Sequence, residues 1–260
     1  MKQTEVNGHL IAYQLINEKL IESDKPILVF LHDGLGSMQQ MKDFPQKISD
    51  VCNLPGIVYD RISYGFSAKR KRKINQAYLH DEAMTYLPEL LENLGFDNKL
   101  ILIGHSDGAT IALLFASFFP SKVLAVVSEA AHVIVEDITV EGIRNLRNAY
   151  DTNPALLKSM KKYHSENTEN LIKSWTNLWL TDEIREWNII KNLKNINIPV
   201  LAIQGENDEF GSFKQLEVIK DNVNADVEIF YISDCGHFPH FEKEIDVNKK
   251  VTEFIKKILV

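Results

Sequence analysis

The sequence ILIGHSDGATIALLFA, residues 101–116, places one serine between two glycines where one apolar run ends and another begins. The short run before Gly104 is typical of a buried strand, and the longer run after Gly108 is typical of a helix. A sharp strand-to-helix turn strains the backbone of the serine, and side chains two positions away would collide, which explains the glycines. The G-x-S-x-G pattern therefore predicts that the Ser106 hydroxyl stands clear of the backbone, above the free N–H groups of a helix.

Further short apolar runs, bounded by glycine, proline or charged residues, predict strands buried on both faces. They are ILVFLHD (27–33), GIVYDR (56–61), KLILIGHS (99–106), KVLAVVSEA (122–130), PVLAIQGEND (199–208) and DVEIFYIS (226–233). The alternating segment 1–16 also resembles a strand, and helical patterns lie at 78–95, 107–120 and 248–259. This alternation predicts an α/β fold, with a mostly parallel central sheet and helices on both faces.

Residues 133–192 interrupt this pattern, because they contain no convincing strand and are helical, polar and rich in aromatic residues. The aromatics either fill a small core of their own or cover a pocket as a cap. We expect a single domain over 1–260 with a helical cap inserted at 133–192. The side chains expected to shape the pocket beneath it are His132, Tyr150, Trp175 and Trp179.

Two polar side chains follow predicted strands late in the chain and complete a constellation with Ser106. A serine hydroxyl is a poor nucleophile without a base and an orienting acid, and on this architecture the chain order is serine, acid, histidine. QGENDEFG (204–211) supplies Asp208, and DCGHFPHFE (234–242) supplies His237. The carboxyl ends of parallel strands share one sheet edge, so we predict a catalytic triad of Ser106, His237 and Asp208.

Rivals exist for both partners of the serine. Glu206 and Glu209 are alternative acids, but a carboxylate three residues past the glycine that ends the strand fits best, which favours Asp208. His240 is an alternative base, but His237 directly follows the Cys-Gly turn.

An oxyanion hole needs two backbone donors near the nucleophile. One is expected to be the N–H of Asp107, the residue after the serine. The other is expected from the loop HDGLGS (32–37), whose glycines allow close approach of the backbone to a substrate. Gly34 and Leu35 are both candidates, and the sequence does not choose between them.

These segments resemble the α/β-hydrolase fold family, serine hydrolase branch, along nearly the whole chain. The resemblance is carried by HDGLGS, YDRISYGFS (59–67), GHSDGA (104–109), QGEND and CGHFPH (235–240), with Ser63 where glycine is common. It implies acyl transfer through the triad without a metal or an organic cofactor. Dehalogenases and epoxide hydrolases look similar, but they carry aspartate in place of Ser106.

Asp107 is less usual in that family. GHSDG and VEGIRNL (140–146) are similar to segments of the biphenyl-hydrolase-like, valacyclovir-hydrolase-type esterases, in which the aspartate recognises a substrate α-ammonium. This resemblance implies that Asp107 pairs with a cation near the scissile carbonyl. The alternative is a carboxylate in the first turn of a helix, which the helix dipole stabilises by about 0.3–1 kcal/mol. In either case a carboxylate beside the nucleophile would repel anionic substrates, which disfavours the meta-cleavage C–C hydrolases.

The composition limits which partners and which cellular location we expect for the protein. The formal net charge of −7 argues against nucleic acid and anionic membranes as partners, and the basic run 69–73 is interpreted as a solvated loop. No apolar stretch approaches the ~20 residues that cross a bilayer, and no signal peptide is evident. Cys52 and Cys235 have neither disulfide nor metal spacing, so we expect free thiols and a cytoplasmic protein.

The sequence thus predicts a serine hydrolase that cleaves a small-molecule carboxylic ester, with an amino-acid ester as one option. A C–C bond hydrolase or a cofactor-free perhydrolase would use the same triad. From another class, a ligand-binding protein on a hydrolase fold would often lose a triad member, and none is missing here. The oligomeric state is left open.

Overall fold

The computed structural model describes residues 1–21 and 24–260, and its centre is one eight-stranded sheet. The strands are β1 (Lys2–Val6), β2 (His9–Ile16), β3 (Ile27–Leu31), β4 (Gly56–Tyr59), β5 (Leu100–His105), β6 (Val123–Glu129), β7 (Val200–Gly205) and β8 (Val227–Ile232). Their order across the sheet is β1-β2-β4-β3-β5-β6-β7-β8. The pairs β1–β2 and β2–β4 are antiparallel, and the remaining pairs are parallel. The predicted α/β class and the mostly parallel sheet are confirmed.

Helices connect the strands and cover both faces of the sheet. They are α1 (Phe44–Cys52), α2 (Tyr78–Asp81), α3 (Leu87–Asn93), α4 (Asp107–Phe118), α5 (Asp137–Thr152), α6 (Pro154–His164), α7 (Thr168–Trp179), α8 (Ile190–Leu193), α9 (Lys214–Asn222), α10 (Pro239–Glu242) and α11 (Glu244–Ile258). A π-helical turn, Glu82–Tyr86, joins α2 to α3. Short 3₁₀ turns lie at Glu18–Leu20, Pro120–Lys122, Ser165–Asn167 and Asp182–Glu186.

The central strand β5 shows how the apolar runs divide between two cores. Leu100 and Leu102 point to the face covered by α3 and α4, where they join the larger core cluster. Ile101 and Ile103 point to the opposite face and join the cluster that includes side chains of α1 and α11. Because both faces are covered, the strand is apolar at every one of these positions, as its continuous run predicts.

Two elements differ from their prediction. The alternating segment 1–16 is not one strand but a hairpin, because Asn7 and Gly8 adopt positive φ angles of 48° and 72° and reverse the chain. Asn-Gly is a strong two-residue hairpin signal, and the alternation on both sides concealed it. The helical pattern 78–95 divides into α2, the π-helical turn and α3, and Gly95 follows it with φ 68°, as a terminating glycine should.

The connection between β6 and β7 contains α5 to α8 and lies wholly within the described residues. Some of its aromatic side chains cover a cavity, as one alternative predicted, whereas others join the larger core cluster and not a separate small core. Tyr150, Tyr163 and Trp175 line a cavity over the sheet edge, whereas Trp179 and Trp187 pack against each other with ring centroids 5.8 Å apart. That residues 133–192 form a separate cap unit stays a prediction.

Among the described residues, no helix combines the length and the apolar character that crossing a membrane requires. Cys52 and Cys235 are free thiols, and both are buried. The basic run 69–73 is exposed except at Arg70, which is partly buried.

Candidate active site

Ser106 forms the turn between β5 and α4, and its backbone is strained with φ 54° and ψ −119°. A Cβ atom added to Gly104 would lie 2.2 Å from the carbonyl oxygen of Gly108. One added to Gly108 would lie 2.1 Å from the carbonyl oxygen of Leu31 on β3. The first glycine therefore allows the tight turn, and the second allows the helix to pack against the neighbouring strand.

The structure brings the three predicted side chains together above the carboxyl edge of the sheet. Ser106 Oγ lies 3.0 Å from His237 Nε2, and His237 Nδ1 lies 2.8 Å from Asp208 Oδ2. Asp208 follows β7, and His237 lies in the loop after β8. All three side chains are buried. The geometry allows a proton to pass from the serine hydroxyl to an imidazole whose other nitrogen is held by a carboxylate.

The electrostatics of this chain favour a charged Asp208 and a basic His237. Burial alone would lower the pKa of His237, but the charge and hydrogen bond of Asp208, with contributions from Glu209 and Asp33, raise it above its usual value. Burial alone would raise the pKa of Asp208, but His237 and the Phe210 N–H lower it below its usual value. The Gln204 side-chain amide also donates to Asp208, so the carboxylate is held from several sides.

The rival residues occupy other places. Glu206 is exposed, and Glu209 is exposed at the rim of the cavity. His240 donates from Nδ1 to Glu129 Oε1 at 2.9 Å, and no hydrogen bond among the described residues joins it to Ser106. The geometry thus favours Asp208 and His237 over the alternatives.

Both loops expected to form the oxyanion hole lie beside the serine. Gly34 and Leu35 line the same cavity as Ser106. Within residues 1–21 and 24–260, the backbone N–H groups of Gly34, Leu35 and Asp107 donate no hydrogen bond. A Cβ on Gly34 would lie 2.6 Å from the Trp175 ring, so glycine is required there for packing.

A cavity of about 320 Å³ opens over Ser106 and His237. Of the predicted pocket residues, His132, Tyr150 and Trp175 line it. The His132 ring lies 6.1 Å from the His237 ring, and burial with the nearby charge of His237 lowers the pKa of His132 to about 4. His132 is therefore a neutral wall of the cavity near pH 7.

Trp179 is a correction to the predicted pocket, because it lies behind the wall rather than in it. Its Nε1 donates to the Tyr78 hydroxyl at 2.9 Å, and only 1% of its surface is exposed. Its ring lies 5.9 Å from that of Trp175, which it supports from behind. The helical periodicity of this segment did not reveal which tryptophan faces the cavity.

Asp107 is the second correction, because its carboxylate does not line the cavity. Its Oδ2 accepts hydrogen bonds from the Tyr78 hydroxyl at 2.8 Å, Trp175 Nε1 at 3.1 Å and Arg61 Nη1 at 3.3 Å. Only 3% of Asp107 is exposed. A carboxylate already paired with a buried guanidinium does not fit the predicted ammonium site. It also does not repel anionic substrates as the sequence argument assumed. Its place in the first turn of α4 agrees with the helix-dipole alternative.

Sequence reasoning assigned no role to Arg61 and Glu129, although both stand at the ends of predicted strands on the site's edge. Arg61 is 2% exposed, and its Nη2 donates to the Asp33 carbonyl oxygen at 2.6 Å. Glu129 is also 2% exposed and pairs with His240. A charged residue that ends an apolar strand was the available signal for both.

Comparison with known proteins agrees with this architecture. A family model described as alpha/beta hydrolase fold matches residues 26–174. The proline iminopeptidase of Thermoplasma volcanium is 23% identical, over 97% of this chain and 95% of that protein. The human serine hydrolase BPHL is 24% identical, over 96% of this chain and 84% of that protein. The solved structure of a meta-cleavage product hydrolase from Pseudomonas fluorescens superposes with a TM-score of 0.76 at 16% identity, covering 99% of this chain and 98% of that one. Because the family model covers more than half of the chain, this protein belongs to the alpha/beta hydrolase fold family and is a hydrolase.

Proposed function

We propose that this hydrolase cleaves a small carboxylic ester through an acyl-enzyme formed on Ser106. The observation that carries the proposal is the continuous hydrogen-bonded path from Ser106 Oγ through His237 to Asp208, with steps of 3.0 and 2.8 Å. A strained serine at a strand-to-helix turn, a buried base and a buried acid are the parts that acyl transfer needs.

Each step of the proposed reaction uses a group already described. Ser106 Oγ attacks the ester carbonyl carbon while His237 Nε2 takes the hydroxyl proton. Asp208 keeps the His237 proton on Nδ1 and stabilises the imidazolium that forms. The N–H of Asp107 and that of Gly34 or Leu35 donate to the oxyanion. His237 then protonates the leaving alcohol, and finally activates water to release the acid from Ser106.

The cavity supports a small substrate. Its volume of about 320 Å³ lies at the lower end of ligand pockets. Asp33 and Glu209 supply carboxylates to its lining, and Lys42 supplies one cation. If the substrate is an amino-acid ester, these carboxylates rather than Asp107 are the groups available to its ammonium.

A C–C bond hydrolase is the second candidate function. The ion pair between Arg61 and Asp107 removes the objection that the sequence raised through Asp107, and Lys42 in the lining is a cation available to an anionic substrate. A 2-hydroxy-6-oxo-6-(2'-aminophenyl)hexa-2,4-dienoic acid hydrolase from Metapseudomonas resinovorans is 21% identical, over 77% of this chain and 73% of that protein. A perhydrolase would also use the same three residues.

The proposed function is tested with a fluorophosphonate probe and a substrate panel. The panel holds nitrophenyl esters of increasing acyl length, a prolyl amide, a meta-cleavage dienoate and a peroxide assay. We expect labelling and ester hydrolysis by the wild type and neither by Ser106→Ala. A folded wild type that neither labels nor turns over any substrate would instead favour a ligand-binding protein.

A separate experiment tests whether Asp107 binds the ammonium group of a substrate. An aminoacyl ester and its N-acetyl analogue are compared in the wild type and in Asp107→Asn, which keeps an oxygen for Tyr78 and Trp175. We expect the ratio of the two kcat/KM values to be the same in both proteins, since the carboxylate lies outside the cavity. A ratio that collapses in the variant would restore Asp107 as the ammonium site.

A further inference from the structure

Glu129, the last residue of β6, contacts both segments that carry the proposed catalytic residues. Its backbone oxygen accepts a hydrogen bond from the Ser106 N–H at 2.8 Å. Its side-chain Oε1 accepts two hydrogen bonds from His240, one from the backbone N–H at 2.7 Å and one from Nδ1 at 2.9 Å. Glu129 and His240 are 2% and 3% exposed, so water does not compete for these contacts.

His240 lies three residues after His237, so its position affects the position of the base. The same loop is held at His237 itself, whose carbonyl oxygen lies 2.7 Å from His105 Nε2. A carbonyl oxygen only accepts, so His105 donates and carries its proton on Nε2. Burial lowers the pKa of His105 to about 4, which keeps this ring neutral. Two neighbouring strand ends, His105 on β5 and Glu129 on β6, thus hold the loop after β8.

The charge on Glu129 follows from its partners. Burial alone would raise its pKa, but His240 and His105 lower it below the usual value of a glutamate. The carboxylate is therefore ionised near pH 7 and accepts both hydrogen bonds of His240 strongly.

We propose that Glu129 is a positioning residue for the hydrolase: its backbone holds the turn of Ser106, and its side chain holds the segment of His237 through His240. The length of this one side chain then sets the 3.0 Å separation between Ser106 Oγ and His237 Nε2. The inference rests on the proposed function, because it concerns the distance between the proposed nucleophile and base. Misplacement of a reacting group by 1 Å costs about 100-fold in rate, so a rigid contact here matters.

Glu129 could instead act by its charge, and two substitutions separate the two roles. Glu129→Gln keeps the length and an acceptor oxygen but removes the charge. Glu129→Asp keeps the charge but shortens the side chain by one methylene. A positioning role predicts that Asp is worse than Gln, and a charge role predicts the reverse order.

Glu82 supplies the matched control. It is also 2% exposed, and its carboxylate accepts a hydrogen bond from the Tyr59 hydroxyl at 3.1 Å, with none from His237 or His240 among the described residues. Glu82→Asp therefore makes the same chemical change in a buried site that does not contact the loop of His237.

The experiment measures kcat, KM and the thermal midpoint on an ester whose hydrolysis requires Ser106. We expect Glu129→Asp to lower kcat about 10- to 100-fold with KM little changed, as misplacement of a reacting group predicts. Glu129→Gln should retain most of the wild-type kcat, and Glu82→Asp should lower the midpoint with kcat close to that of the wild type.

Three results would overturn the proposal. They are a folded Glu129→Asp with wild-type kcat, a Gln variant as slow as the Asp variant, and an equal loss of kcat in Glu82→Asp. If Glu129→Asp does not fold, His240→Phe replaces it, because this variant keeps the backbone hydrogen bond and loses the one from Nδ1. Its kcat should fall several-fold, and an unchanged kcat would overturn the proposal. A wild type without Ser106-dependent hydrolysis would instead contradict the proposed function.

Discussion

Two buried histidine–carboxylate pairs lie side by side in this protein, and only one reaches the serine. His237 Nδ1 lies 2.8 Å from Asp208, and His240 Nδ1 lies 2.9 Å from Glu129. The Nε2 atom of His237 is 3.0 Å from Ser106 Oγ, whereas the ring of His240 packs against Phe241 and Phe44 at centroid distances of 4.0 and 5.0 Å. A histidine paired with a buried carboxylate is therefore placed to act as the proposed proton relay in one pair and as the proposed structural clamp in the other, depending on what the second ring nitrogen faces.

The largest expected difference between the pairs is the effect of removing each ring. His237→Ala should lower kcat by about 10⁶-fold, since the proposed base is lost. His240→Phe should lower it only several-fold, as argued above. Initial rates on one ester, with fluorophosphonate labelling as a second readout, check both. If the kcat of His237→Ala lay within about tenfold of the wild-type value, the two histidines would be equally dispensable and the triad would be contradicted.

The carboxylates should differ in the same direction. Asp208→Asn should lower kcat by about 10⁴-fold, because an amide in place of the carboxylate favours the wrong tautomer of His237. Glu129→Gln, the same chemical change in the other pair, should retain most of the activity. The measurement is the steady-state rate of each variant, and circular dichroism checks that each variant is folded. Equal losses of kcat in the two variants would contradict the distinction between the roles of Asp208 and Glu129.

A third buried carboxylate beside Ser106 sharpens the contrast, because Asp107 pairs with Arg61 and not with a histidine. Asp107→Ala should lower the free energy of unfolding by about 3–5 kcal/mol, since it removes the carboxylate that forms an ion pair with the buried guanidinium. Denaturant unfolding of the variant and the wild type measures this difference. A loss below about 1 kcal/mol would mean that Arg61 does not depend on Asp107.

The pH dependence of kcat/KM distinguishes His237 from His105 and His132 without any mutation. The proposed reaction needs neutral His237, whose pKa lies above the usual value, so kcat/KM should rise with pH through a midpoint above about 6.5. His105 and His132, whose pKa values are both about 4, stay neutral throughout that range. A midpoint near 4 would assign the acid limb to one of these two rings instead of His237.

Much of the site was predictable because it depends on chain order and strand ends. The loops after β5, β7 and β8 carry Ser106, Asp208 and His237, and the carboxyl ends of parallel strands share an edge of the sheet. Gly104 and Gly108 were predictable because their backbone approaches the neighbouring backbone too closely for a side chain.

The partners of Asp107 were not predictable from local pattern. Arg61, Tyr78 and Trp175 come from the loop after β4, from α2 and from α7, and each meets the carboxylate only in the folded chain. The resemblance at Asp107 therefore predicted a role for this residue without predicting the side chains that surround it. The same holds for Trp179, since it lies four positions after Trp175 on the same helix, and only packing places one in the cavity and the other behind it.

The sequence by itself determined the fold class, the strained serine and the order of its expected partners. Hydrophobic periodicity and glycine sterics are local properties, and parallel strands bring their ends together wherever they lie in the chain. Only the tertiary structure decided that Trp179 lies behind Trp175, that Asp107 is bound to Arg61, and that Glu129 contacts the segments of Ser106 and His240. Each of these contacts joins segments that are remote in the sequence, so it depends on how the folded chain packs and not on local sequence pattern.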